Sequence, residues 1–229
     1  MKPTFQIYSE LQQAYDHFNR ELFDGILPEC ILLLDNKERR VYGYYSAKQF
    51  VNQEGVACDA IAMNPQHFGM RKIIEILQTI VHEMVHLWQF HFGTHKSNKV
   101  YHNKEWGAKM ESLGLMPSST GQPGGKKTGQ CMADYPIEGG TFLQSCERLI
   151  TPEYKISWMD RFCVREDGLV STVHALGIDD EGDSESAPEK PNKSNRIKYT
   201  CPECSANIWG RPGLNVVCGD CEMTFNPAP

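Results

Sequence analysis

The chain has 229 residues, 40% apolar, 23% charged and 10% aromatic; these ordinary values exclude disorder of the whole chain and leave room for one main domain and one satellite. The formal charge of −6 is unevenly spread: residues 1–178 hold 18 Lys/Arg against 20 Asp/Glu, residues 179–189 six acids and no base, and residues 190–229 five bases against three acids. The acidity belongs to one short stretch, so it does not exclude contact with nucleic acid elsewhere, and the lack of any run of about 18 apolar residues predicts a soluble, unexported, cytoplasmic protein without membrane contact.

Ser9 is placed to cap a first helix in which Leu11, Tyr15, Phe18 and Leu22 recur at helical spacing until Asp24-Gly25 breaks the pattern. Short apolar runs at 30–34, 41–46 and 57–63, separated by polar or glycine-containing segments, predict three strands of one small sheet. From residue 71 to about residue 92 apolar residues mark a long, largely buried helix, and residues 104–113 form a shorter one stopped by Gly114. Residues 117–129, rich in Ser, Gly, Pro and Lys, read as a mobile loop, and residues 141–165 are too mixed to assign. This order predicts an α+β domain over residues 1–178, with helices packed on one face of a small sheet. Residues 179–189 carry no large apolar side chain, so a disordered acidic linker is expected over 179–195, ahead of a small terminal domain at 196–229.

The long helix carries His82-Glu83-Met84-Val85-His86. Residues four apart share a helix face, so both imidazoles can aim at one ion with Glu83 beside them. Two ordinary helix histidines are the plainer reading. Burying two His and a Glu in so apolar a helix is costly without a shared ligand, which favours metal. Zinc held by three protein groups keeps a position for water, lowers that water's pKa to about 7 and polarises a carbonyl; Glu83 would act as general base, and peptide hydrolysis follows.

The third ligand sorts the zinc peptidases. A metzincin needs Gly at 89 and His at 92, where this chain has Gln89 and Phe92, so that class is excluded. His91 lies off the metal-facing side and reads as a packing or surface residue. His102 is favoured, since a short return from Gly93 brings it back just before the next helix; His95, or a carboxylate from Glu105 or Glu111, stays open. Trp106 reads as packing against the long helix. Tyr135, Arg148 and Arg161 are candidate oxyanion donors with nothing to choose between them, and Met132 to Gly140 shows no derivable chemistry.

Cys201-Pro202-Glu203-Cys204 and Cys218-Gly219-Asp220-Cys221 are two knuckles 13 residues apart, with Pro202 and Gly219 suited to tight turns. Four thiolates close a tetrahedron, so this zinc is structural and supplies stability that the short segment lacks. The other five cysteines, Cys30, Cys58, Cys131, Cys146 and Cys163, are scattered and read as small hydrophobes. Lys193, Arg196, Lys198 and Arg211, interleaved with Tyr199 and Trp209, can meet phosphates and stack on unpaired bases; the plainer alternative packs Trp209 over the zinc site.

With His82-Glu83-Met84-Val85-His86, the element His102-Asn103-Lys104-Glu105-Trp106 and the upstream Phe18-Asn19-Arg20-Glu21-Leu22-Phe23, most of the chain resembles the SprT-like zinc metalloproteases, which include the eukaryotic DNA-dependent protease Spartan. The resemblance implies a minimal zincin fold, His102 as third zinc ligand and substrates associated with or crosslinked to DNA, preferentially single-stranded DNA. Asn103 departs from the Gly common there. Two zinc ions per chain are thus expected, one catalytic on His82, His86 and His102 and one structural on Cys201, Cys204, Cys218 and Cys221, with Lys198, Trp209 and Arg211 as nucleic-acid contacts and a nucleoid-associated location if DNA targets the enzyme. The alternatives are a cytosolic regulatory metallopeptidase whose ribbon binds protein, or a non-catalytic zinc-dependent nucleic-acid-binding protein, against which Glu83 argues.

Overall fold

The computed structural model describes residues 2–36, 41–95, 101–164, 170–172 and 197–227. The chain divides into two compact units, Met1–Asp179 and Asp180–Pro229. The expected acidic linker, and Lys193 and Arg196, lie outside the described residues.

The first unit opens with α1 (Pro3–Leu22), which buries Ile7, Leu11, Ala14, Tyr15, Phe18 and Leu22. It starts six residues before the expected cap at Ser9. Pro3 has its φ already set for a first helical turn and no N–H to leave unpaired, while Ser9 Oγ donates within the helix to the Gln6 carbonyl. The helix ends where expected: Asp24 and Gly25 take positive φ, and the Gly25 N–H returns to the Asn19 carbonyl.

Strands β1 (Cys30–Leu34), β2 (Gly43–Val51) and β3 (Ala57–Met63) form one sheet in the order β1-β3-β2, with β1 parallel and β2 antiparallel to β3. β2 runs past the expected end at Ser46. A bulge between Ser46 and Phe50, with Lys48 at φ 51°, lets pairing resume, and the Lys48 N–H freed by it donates to Asp59 Oδ1 at 2.6 Å.

After a 3-10 turn at Pro65–Met70 comes α2 (Ile73–Phe92), which carries the histidine pair. Glu75 caps it by accepting the Lys72 N–H. Leu77, Ile80, Val81, Met84, Val85 and Leu87 are buried, and α2 packs against β2, β3, α1 and α3 (Lys104–Ser112). Gly43 permits the close approach to the sheet: a Cβ there would lie 2.9 Å from both the Ala62 carbonyl and Thr79 Cγ2.

β4 (Leu115–Ser118) pairs antiparallel with β5 (Ala133–Pro136), and α4 (Thr141–Leu149) packs on α1. β6 (Phe162–Val164) pairs with β7 (Val170–Thr172). The stretch 117–129, expected as a mobile loop, begins inside β4 and is fastened throughout: Ser118 Oγ donates to the Gln122 carbonyl at 2.6 Å, Ser119 N–H to the Lys126 carbonyl at 2.8 Å, and Gly129 pairs with His102.

In the second unit β8 (Ile197–Thr200), β9 (Asn207–Gly210) and β10 (Asn226–Pro227) form a sheet in the order β10-β8-β9 over a core of Tyr199, Cys201, Cys218 and Phe225. The whole is α+β, with a small cysteine-centred unit at its C-terminal end.

Candidate metal centres

His82 and His86, one helical turn apart on α2, face the same way, and His102 comes in from just before α3. His102 Nε2 lies 3.1 Å from His86 Nε2 and 3.3 Å from His82 Nε2. A tetrahedral ion bound at about 2.0–2.1 Å sets its nitrogen ligands about 3.3–3.4 Å apart.

Proton placement points the same way. His82 Nδ1 is 2.8 Å from the buried Asp134 Oδ2, and His102 Nδ1 is 3.2 Å from the Gly129 carbonyl. Both partners are acceptors, so each Nδ1 carries the proton, which leaves the two Nε2 lone pairs facing each other with no hydrogen between them. A cation at their meeting point resolves that repulsion. Burial and the neighbouring His82 push His102 down to about 4 and His86 well below its ordinary value, so both present neutral, ligating rings. Burial also disfavours charge on His82, but the Asp134 hydrogen bond outweighs it and raises the pKa. The Asp134 carboxylate favours positive charge on that ring's far side, which an ion supplies as well as a proton does.

Trp106 is fully buried, with its ring centroid 4.9, 5.4 and 4.4 Å from those of His82, His86 and His102. It packs on all three imidazoles as well as on the long helix, and walls one side of the cluster off from water.

Glu83 is 5% exposed and accepts a hydrogen bond from the Tyr45 backbone N–H on β2. Burial pushes its carboxyl up to about 7, against the pull of His82. The other candidates for third ligand are otherwise engaged. Glu105 accepts from the backbone N–H groups of Thr94 and His95, Glu111 binds Lys127 at 3.0 Å, and His95 is an exposed side chain beside Thr94. His91 binds the buried Asp59 of β3. Among the oxyanion candidates, Arg148 is tied to Glu21 on α1 at 2.6 Å.

Asp134, which the sequence gave no reason to single out, is the main addition to the site. It sits on β5, 52 positions from His82, and its carbonyl accepts from Gln78 of α2 at 2.7 Å. Asp134→Asn removes the charge that fixes the His82 tautomer, and the expected loss of metal affinity at the histidine site is about 10- to 100-fold. Chelator competition measures it, with the cysteine site as internal reference.

The four sulfurs of Cys201, Cys204, Cys218 and Cys221 lie within 4.8 Å of one another, and Cys204 Sγ is 3.8 Å from Cys218 Sγ. A tetrahedral zinc about 2.3 Å from each sulfur requires about 3.8 Å. The two knuckles repeat one pattern. Ser205 N–H returns to the Cys201 carbonyl and Glu222 N–H to the Cys218 carbonyl, and Ser205 and Glu222 take φ 61° and 51°. The tight turns therefore fall at Ser205 and Glu222; Gly219 has no positive φ. Backbone N–H groups of Cys204 and Glu203 aimed at its sulfur bring the Cys201 thiol down to about 7, which eases thiolate formation.

Lys198 and Trp209 are direct partners across β8 and β9 and therefore share a face. Trp209 is 62% exposed, and Tyr199, 2% exposed, occupies the core beside the cysteines instead. Arg211 is exposed, with its carbonyl accepting from the Tyr199 hydroxyl at 2.8 Å.

The sequence profile of the SprT-like family matches residues 11–124, a span that contains α2, the histidine triplet and α3. An uncharacterized protein in the mucB 3′ region of Salmonella typhimurium is 50% identical over 60 residues, 26% of this chain and 80% of the relative. The chain belongs to the SprT-like family. No solved structure matches it. Family membership suggests a metallopeptidase-type function for this SprT-like chain, and its two candidate metal-binding groups, three histidines and four cysteines, both fit zinc. Among the described residues no helix is long and apolar enough to cross a membrane.

Proposed function

We propose that this SprT-like chain is a zinc-dependent endopeptidase that acts on proteins associated with, or crosslinked to, DNA. The observation that supports it best is the convergence of the His82, His86 and His102 Nε2 atoms beside a buried glutamate that needs no structural partner there. A zinc ion held by those three rings would supply Lewis acidity for the scissile carbonyl and acidify water in the site.

The chain's own residues do the rest. Glu83, buried and steadied by the Tyr45 N–H, takes the proton of the attacking water and delivers it to the leaving amine. Asp134 keeps the His82 proton on Nδ1, so that Nε2 stays a ligand, and Trp106 keeps water from one side of the imidazoles. The structural zinc would sit on Cys201, Cys204, Cys218 and Cys221.

The DNA part of the proposal leans on the ribbon face. An exposed Trp209 beside Lys198 offers a stacking platform and a phosphate contact, with Arg211 adding charge, a combination suited to single-stranded nucleic acid. A nucleoid-associated cytoplasmic location follows from that reading. The test is cleavage of a DNA-binding protein with and without single-stranded DNA. Cleavage should require the DNA, and Trp209→Ala should weaken single-strand binding by about 1–3 kcal/mol, roughly 5- to 150-fold. Cleavage indifferent to DNA, with unchanged binding by the Ala variant, would leave a general metallopeptidase whose ribbon serves protein partners.

A further inference from the structure

The third histidine poses a mechanical problem that the first two do not. His82 and His86 are fixed by one helix, whereas His102 reaches the site only after the chain has left α2 at Gly93 and before it enters α3 at Lys104. A ligand delivered that way pays an ordering cost on binding unless the fold places it beforehand. On one side placement is plain: His102 and Gly129 exchange backbone hydrogen bonds of 2.7 and 3.1 Å. That bridge fixes His102 to the 119–129 segment but does not set its distance from α2.

A second set of contacts does. Gln89, three residues after His86 on α2 and 4% exposed, donates through Nε2 to Asn103 Oδ1 at 2.8 Å and to Glu105 Oε2 at 3.3 Å. Glu105 Oε1 accepts from the Thr94 N–H at 2.8 Å and the Thr94 hydroxyl at 2.6 Å, and Oε2 accepts from the His95 N–H at 3.0 Å. Asn103 Nδ2 donates to the His95 carbonyl at 2.9 Å, while its Oδ1 also caps α3 through the Trp106 N–H. The residue next to His102 is thus bonded both to the last turns of α2 and to the chain leaving it. Gly93 leaves the room: a Cβ there would lie 2.5 Å from the Gln89 carbonyl and 2.9 Å from Glu105 Oε2.

We propose that Gln89, Asn103 and Glu105, closed around Gly93, form a clamp that positions His102 against His86 and so sets the zinc affinity of the histidine site. The proposal rests on the zinc-peptidase reading above. Glu105 acts as a positioning residue, with both oxygens committed to the clamp. Its carboxylate keeps its charge at working pH: burial pushes it up, but the hydrogen bonds from Thr94, His95 and Gln89 hold it down to about 2. Asn103, where the family commonly has Gly, supplies contacts that a glycine could not make.

The experiment is zinc transfer from the full chain to a chelator of known affinity, well below the unfolding temperature, with the cysteine site as internal reference. Glu105→Ala, Gln89→Ala and Gly93→Ala should each release the histidine-site zinc about 10- to 100-fold more readily and leave the ribbon zinc unchanged. Glu105→Gln, which keeps one oxygen for the Thr94 N–H, should recover part of what Glu105→Ala loses. Arg148→Ala cuts the α1–α4 tie to Glu21 and reports general destabilisation; it should lower the unfolding temperature without changing zinc release. Unchanged release in both the Glu105→Ala and Gln89→Ala variants overturns the clamp, as does equal loss in Arg148→Ala. A wild-type chain that holds only the ribbon zinc overturns the peptidase reading and the clamp together, whereas two zinc ions with unchanged release overturns the clamp alone.

Discussion

Replacing Glu83 with Gln is expected to lower peptide cleavage by about 100- to 10,000-fold while the chain keeps its fold and its metal. Gln has the same shape and still offers an oxygen to the Tyr45 N–H, so the local packing survives. What disappears is the base. A buried carboxylate is itself a burden on stability, because its charge is desolvated, so the variant should unfold at the same temperature as the parent or higher. That combination separates a catalytic role from a structural one. Cleavage assays, zinc analysis and thermal unfolding on one preparation measure it, and full cleavage by the Gln variant removes Glu83 from the mechanism.

The second large effect is expected at the ribbon. Residues 197–227 bury only Tyr199, Cys201, Cys218 and Phe225 as a core, too little to offset the ordering entropy of the segment. Zinc binding to such sites supplies about 10–16 kcal/mol, so here metal affinity and folding are one quantity. Cys218→Ser removes a buried thiolate and the sulfur 3.8 Å from Cys204, and the unit should unfold. The zinc count should fall by one, amide protection across β8 and β9 should vanish, and single-strand DNA binding should go with it, since Lys198 and Trp209 are juxtaposed only by that pairing. A Ser variant that retains both zinc ions and the β8–β9 protection would contradict the assignment.

The sequence carried the parts of the fold written at short range. His82 and His86 could be read because helix geometry alone puts residues four apart on one face, and the cysteine knuckles because their spacing is the chelate itself. Strands 30–34 and 57–63 stood out as apolar runs, but nothing in them says that β1 and β3 run parallel with β2 on the outer side. Asp134 was invisible for a related reason. Its role depends on β5 being laid against α2, and a lone Asp between Ala133 and Tyr135 has no spacing that announces a partner 52 positions away. Glu105 was ambiguous because a zinc ligand and a clamp both require a carboxylate near the return from α2, and only the Thr94 and His95 N–H groups decide between them. The orientation of Trp209 could have been read further. Ile197, Lys198 and Tyr199 alternate with the strand period, which puts Tyr199 inward and Lys198, with its partner Trp209, outward.

The account stands or falls on whether the three converging histidines hold a metal ion. The most direct measurement is the zinc content per chain of the purified wild type and of a His86→Ala variant. The account predicts about two zinc ions in the first and about one in the second, the remaining ion being the cysteine-bound zinc. One zinc in the wild type, or two in the variant, would contradict it.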